Sequence, residues 1–175
     1  EDVRQVNQRI NMINKFTNLG VRLNSMFFRT GFISNKEELG RIKRIYSEGM
    51  PQFDEQTLSL NERLSLYQVQ VGYYYYIQDF EKGLEYATKW VALFDEYPDL
   101  CYSRTDTYLS AINSMMIGQN KLYLYNEFVE NTRRLRQIRH YPKSATNENI
   151  RMRLFKYTYV HEFNRIFMLG DFAQG

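Results

Sequence analysis

His161-Glu162 begins like the His-Glu-x-x-His zinc motif, which needs a second imidazole one helical turn on. That place holds Arg165, so the ligand pair is incomplete. The only other histidine, His140, lies next to a proline link. The single cysteine, Cys101, has Arg104 nearby, and a cation can lower a thiol pKa. No histidine is placed to act as its base, so a packed thiol is expected. Phosphate-cradling glycine loops and dinucleotide fingerprints are absent, and the nine glycines are scattered. The sequence therefore predicts no catalytic residue, no metal and no cofactor. A third reading is an enzyme whose site lies between repeats or in sequence outside this stretch, and a deep pocket grouping His161 with carboxylates would favour it.

The residue types that remain are suited to recognition. Tyr73, Tyr74, Tyr75 and Tyr76 follow one another in a chain with 15 Tyr and 12 Phe. On a helix four successive residues sweep about 300°, so these rings cannot all face one neighbour. Tyr74 continues an apolar stripe, which turns Tyr75 and Tyr76 toward an open face. Tyrosine there offers apolar area with a polar tip at low entropic cost. A second feature is basic: Arg133, Arg134, Arg136, Arg139, Lys143, Arg151 and Arg153. Some of these cations favour a helix C-terminus, and a cluster can also grip phosphate or an acidic protein.

Charge is unevenly spread. Residues 78–106 carry seven acids against three bases, and residues 121–175 ten bases against five acids, although the net charge is only +3. Separated signs favour charged partners over a bare polyanion, so nucleic acid is the secondary reading, through the basic 133–153 stretch. One cysteine excludes an internal disulfide framework and fits a reducing compartment such as the cytoplasm. No apolar run approaches the ~18 residues that span a bilayer. Glu1-Asp2-Val3-Arg4-Gln5 reads as helix rather than as a signal sequence. The run Gly170-Asp171-Phe172-Ala173-Gln174-Gly175 reads as a turn entering a new helix, so a piece of a longer protein is expected.

Helices must position these groups, because strand alternation is almost absent. Met12, Phe16, Leu19, Leu23 and Met26 step by four and three, as do Leu60, Leu64, Tyr67, Val71 and Tyr74, and Phe80, Leu84, Ala87, Val91 and Phe94. Further helices are expected near 36–48, 105–117, 121–139 and 147–169. Pro51, Pro98 and Pro142 each follow a helical stretch, 47 and 44 residues apart. Midway turns are expected at 29–32, 77–80, 118–121 and 169–172. The pattern predicts an all-α chain of antiparallel helix pairs, in units of about 1–51, 52–98, 99–142 and an incomplete 143–175, stacked to bury one continuous core.

These residues resemble tetratricopeptide (TPR) repeats. The clearest unit runs from Leu64 to Pro98, with Tyr67, Val71 and Tyr74 in the first-helix places, then Asp79-Phe80, Gly83 and Ala87. Tyr108, Ile112 and Met115 take the same places in the third unit, and Tyr159, Phe163 and Ile166 in the fourth. Phe16, Leu19, Gly20 and Leu23 fit the first, with the family's Leu-Gly pair. The period of 44–47 exceeds the family's 34 or so through longer second helices and links.

The resemblance implies a right-handed superhelix whose concave face, lined by first helices, recognises a protein or peptide without catalysis. Carried over by position, the contact residues would be Asn14, Asn18, Gln68, Tyr75, Tyr76, Asp106, Asn113, Tyr157, His161 and Asn164. Their amides can bond a peptide backbone as donor and acceptor. Of the carboxylate-clamp pattern only Asn18 is present, so capture of a peptide C-terminus is not expected.

Overall fold

The structure is a computed structural model in which residues 2–170 are described. Those residues form nine α-helices and no strand: α1 (Val3–Thr30), α2 (Lys36–Gly49), α3 (Leu60–Tyr76), α4 (Phe80–Glu96), α5 (Asp99–Ser103), α6 (Thr105–Lys121), α7 (Tyr125–Gln137), α8 (Pro142–Thr146) and α9 (Glu148–Leu169). Single 3-10 turns occupy Glu55–Thr57 and Ile138–His140. The chain divides into two compact units, Glu1–Tyr86 and Ala87–Gly175.

In the first unit α1 packs on α2 and along α3. Its expected stripe is the buried one, with Phe16, Leu19 and Leu23 inside beside Ile42 and Ile45 of α2. The Leu19-Gly20 pair works by close approach. A Cβ on Gly20 would lie 3.0 Å from Val69 Cγ2 of α3, and Leu19 Cδ1 lies 2.8 Å from where a Cβ on Gly49 would stand. Ser59 and Glu62 form a reciprocal capping box that starts α3. α3 is buried on most of its circumference: Leu66, Val69, Gln70, Tyr73 and Tyr76 are inside as well as Leu64, Tyr67 and Val71.

In the second unit α6 packs on α7 and α9, α7 also touches α9, and α8 leans on α9. Leu109, Ile112 and Met116 of α6 and Phe128 and Leu135 of α7 are completely buried. Asn147 caps α9 by accepting from Ile150 N (3.2 Å). Pro142 opens α8 at a position that needs no N–H, and Ser144 Oγ donates to Ile138 O (2.6 Å) to pin the link.

Each proline lies between longer helices, as its chemistry requires. The links after Pro98 and Pro142 are themselves short helices, which periodicity did not reveal. The expected turn at 118–121 is a correction: α6 stays helical to Lys121, because Gln119 Oε1 turns inward to accept from Asn131 Nδ2 (3.2 Å). The chain reverses at Leu122–Leu124 instead, with Tyr123 at φ 56°. α9 ends on Gly170 in the left-handed region. Asp171 and Phe172 of the last expected turn, and the expected helix entry to Gly175, lie outside the described residues.

Candidate functional site

α6 and α9 meet along a polar seam. Asp106, Ser110 and Asn113 share one edge of α6, and Arg153, Tyr157, His161 and Asn164 one edge of α9, by their spacing of three and four. Arg153 Nη2 donates to Ser110 Oγ (2.6 Å) and to Tyr157 Oη (3.5 Å), with its guanidinium 5.6 Å from the Tyr157 ring. Farther along, His161 Nε2 and Asn113 Oδ1 lie 3.0 Å apart. The structure thus sets Asp106, Asn113, Tyr157 and His161 along one seam, with Asp106 at its groove end and the Asn113–His161 pair about 10 Å farther along. Asn164 is half-buried farther along α9.

At one end the seam opens into a groove of about 600 Å³. Asp106 lines one side; Lys143, Asn147, Asn149, Ile150 and Arg153 line the other. Lys143 Nζ donates to the Ser103 carbonyl, which steadies that wall. Two cations, one carboxylate and two exposed amides surround the buried Ile150 side chain. Such a lining can bond an extended backbone through the amides and attract acidic side chains to the cations. Sequence reasoning missed Ser110, Asn147 and Asn149. The only signal was the amide-rich run Thr146-Asn147-Glu148-Asn149, which reads equally well as a helix cap.

His161 is 1% exposed and packs edge-on to Phe128 at 5.6 Å between ring centres. Burial lowers its pKa from 6.5 to about 4. It is a neutral structural imidazole rather than a contact surface, so the expected ligand role of this residue is corrected. Its neighbour Glu162 is held by Arg136 and by Arg165 (3.0 Å).

In the first unit Asn14, Asn18 and Gln68 are exposed, on α1 and α3. Tyr76 is a second correction: it is 3% exposed, shares a hydrogen bond with Thr30 Oγ1 (2.9 Å) and meets the Phe27 ring edge-on at 5.4 Å. Tyr75 is half-buried against Phe80 and over Gly83, where a Cβ would come within 2.1 Å of its ring. Tyr73, rather than Tyr74, takes the deep position, stacked on Tyr46 at 3.5 Å. The Tyr46 hydroxyl donates to Gln70, and desolvation raises its pKa. Tyr74 stacks on Tyr86 at 5.6 Å. The run faces several neighbours because α3 is enclosed by more than one element, so one stripe does not set its orientation.

Much of the basic stretch is engaged internally. Arg133 pairs with Glu130 (2.6 Å), Arg134 with Asp95 (2.5 Å) and Tyr108 (3.2 Å), and Arg136 with Glu162. Arg139 Nε donates to His140 Nε2 (2.9 Å). Cys101 is buried near Asp95 and Arg134, and desolvation raises its thiol pKa. Among the described residues no group of three His, Cys, Asp or Glu is placed to hold a metal ion, and no helix is long and apolar enough to cross a membrane. No family model, curated protein or solved structure matches the chain.

Proposed function

We propose that the chain is a protein- or peptide-binding module of TPR-like stacked helix pairs that acts by recognition rather than catalysis. The observation that carries this reading is the groove of Asp106, Lys143, Asn147, Asn149 and Arg153 beside the α6–α9 seam. Its walls are fixed in advance by the Asn147 cap, the Ser144–Ile138 bond and the Arg153–Ser110 bond, which keeps the ordering cost of binding low. The chemistry favours an extended, acidic peptide. The paired state of Arg133, Arg134 and Arg136 makes nucleic acid the weaker reading.

A displayed random-peptide library panned on the chain tests this. Enriched peptides carrying acidic residues are expected, with affinity lowered about tenfold in Arg153→Ala and in Asn149→Ala at unchanged helicity. The reading fails if no peptide is enriched, or if bound peptides are indifferent to both substitutions. Binding of a mixed-sequence oligonucleotide that falls steeply with salt and is lost in Arg133→Ala/Arg134→Ala/Arg136→Ala would instead favour the nucleic-acid reading.

A further inference from the structure

α9 has two apolar faces. Ile150, Leu154 and the buried His161 point into the second unit. On the other side Met152, Phe155, Tyr159, Phe163 and Ile166 lie within an arc of about 80°, at ~100° per residue. All five are in solvent, with Phe155 64%, Tyr159 63% and Phe163 59% exposed. Phe155 packs on Tyr159 and Phe163 on the neighbouring Phe167, each pair with ring centres 4.5 Å apart. Tyr159, Phe163 and Ile166 were expected as the first-helix core positions of the fourth unit; the described residues leave them open.

The order of these side chains is a palindrome. Reading outward from Tyr159, a Phe stands four residues away on each side and an unbranched or branched aliphatic three beyond it: Met152-Phe155-Tyr159-Phe163-Ile166. A two-fold interface requires a patch that is its own complement. Two antiparallel copies of α9 centred on Tyr159 meet that requirement. Phe155 of each copy faces Phe163 of the other, Met152 faces Ile166, and the two Tyr159 rings meet on the axis. The antiparallel sense also sets opposite helix-dipole ends together. Three rings of roughly 200 Å² each, more than half open, with the two aliphatics, expose on the order of 500 Å². That is about two thirds of the ~800 Å² per partner of a standard interface, and it is a contiguous patch of the size that on a monomer is often functional.

We infer that this stripe is a homodimer interface, pairing α9 with α9 of a second copy in antiparallel register about Tyr159. Sedimentation equilibrium of the chain should show a monomer–dimer equilibrium. Phe155→Asp and Phe163→Asp, both at exposed positions, should each raise the dimer Kd by about 30-fold or more, as expected for central aromatics, with unchanged far-UV circular dichroism. Register is read by mild oxidation in a Cys101→Ser background. Tyr159→Cys should cross-link to itself, and a mixture of Phe155→Cys and Phe163→Cys chains should cross-link to each other. Met152→Cys should not self-link, because its two copies lie about 21 Å apart along the axis at 1.5 Å per residue. A chain that stays monomeric at all concentrations overturns the proposal and leaves the stripe to a different partner, such as a further helix pair. Self-linking of Met152→Cys, the mark of a parallel pair, overturns it too.

Discussion

Asn113 and His161 are 48 residues apart in the chain and 3.0 Å apart in space, joining α6 to α9 through one side-chain hydrogen bond inside the second unit. With Asn113 Oδ1 accepting, Nε2 carries the hydrogen, and Nδ1 stays a buried acceptor with no partner among the described residues. A second proton, placed on Nδ1, would be buried with no acceptor among the described residues, so the ring is held in its neutral form.

Acid should expose this arrangement. In the folded chain His161 takes a proton only near pH 4, whereas an unfolded histidine does so near 6.5. Between those values the unfolded state binds more protons, so stability falls as pH drops and is fully present above about 6.5. The loss attributable to this group is about 3 kcal/mol. His161→Gln can keep a bond to Asn113 and cannot titrate. Urea melts from pH 7 to 4 should show the wild-type loss of stability exceeding that of the variant by this amount. Parallel profiles would refute the assignment.

Two glycines should respond in opposite ways to alanine. Gly72 in α3 has no atom of the described residues within 4 Å of a new Cβ, so Gly72→Ala should gain about 0.5–1 kcal/mol from helix propensity. At Gly83 the Cβ would fall 2.1 Å from the Tyr75 ring, and Gly83→Ala should lose about 1–3 kcal/mol. Adding Tyr75→Ala should recover part of that loss. Thermal melts of the three variants decide it, and a stabilised Gly83→Ala would contradict the packing described.

The start of α3 should depend on its cap. Ser59 N donates to Glu62 Oε2 (2.8 Å), and Ser59 Oγ donates to the same oxygen (2.5 Å). Ser59→Ala should cost about 1 kcal/mol, read as a shift of the urea midpoint with an unchanged slope.

Cys101 should be slow to react. Burial raises its pKa and covers the sulfur, so a thiol reagent at neutral pH should label it far more slowly in the native chain than in denaturant. Equal rates would mean that α5 opens readily.

Sequence periodicity revealed much of the helix framework and little of its surroundings. The Phe16, Leu19 and Leu23 stripe is buried as expected, because α1 has one principal packing side. α3 hides a second set of side chains, Leu66, Val69, Tyr73 and Tyr76, because a helix enclosed by several neighbours has no polar face for a period to mark. For the same reason Tyr76 was expected outside. Gly118-Gln119-Asn120-Lys121 has turn composition, yet the Gln119–Asn131 bond holds it helical. In the seam, Asp106, Asn113, Tyr157 and His161 were reached through the family resemblance. The Arg153–Ser110 bond was not legible, since a contact spanning 43 residues leaves no local spacing.

The enclosure of α3 has a consequence for how the first unit comes apart. Its middle amides can reach bulk water only when α1 and its other neighbours let go together, so they should be the slowest to exchange deuterium in that half of the chain. The first residues of α1, exposed from Val3 to Ile10, should trade hydrogens early, so the first unit loosens from the start of α1 while the middle of α3 is the last to let go.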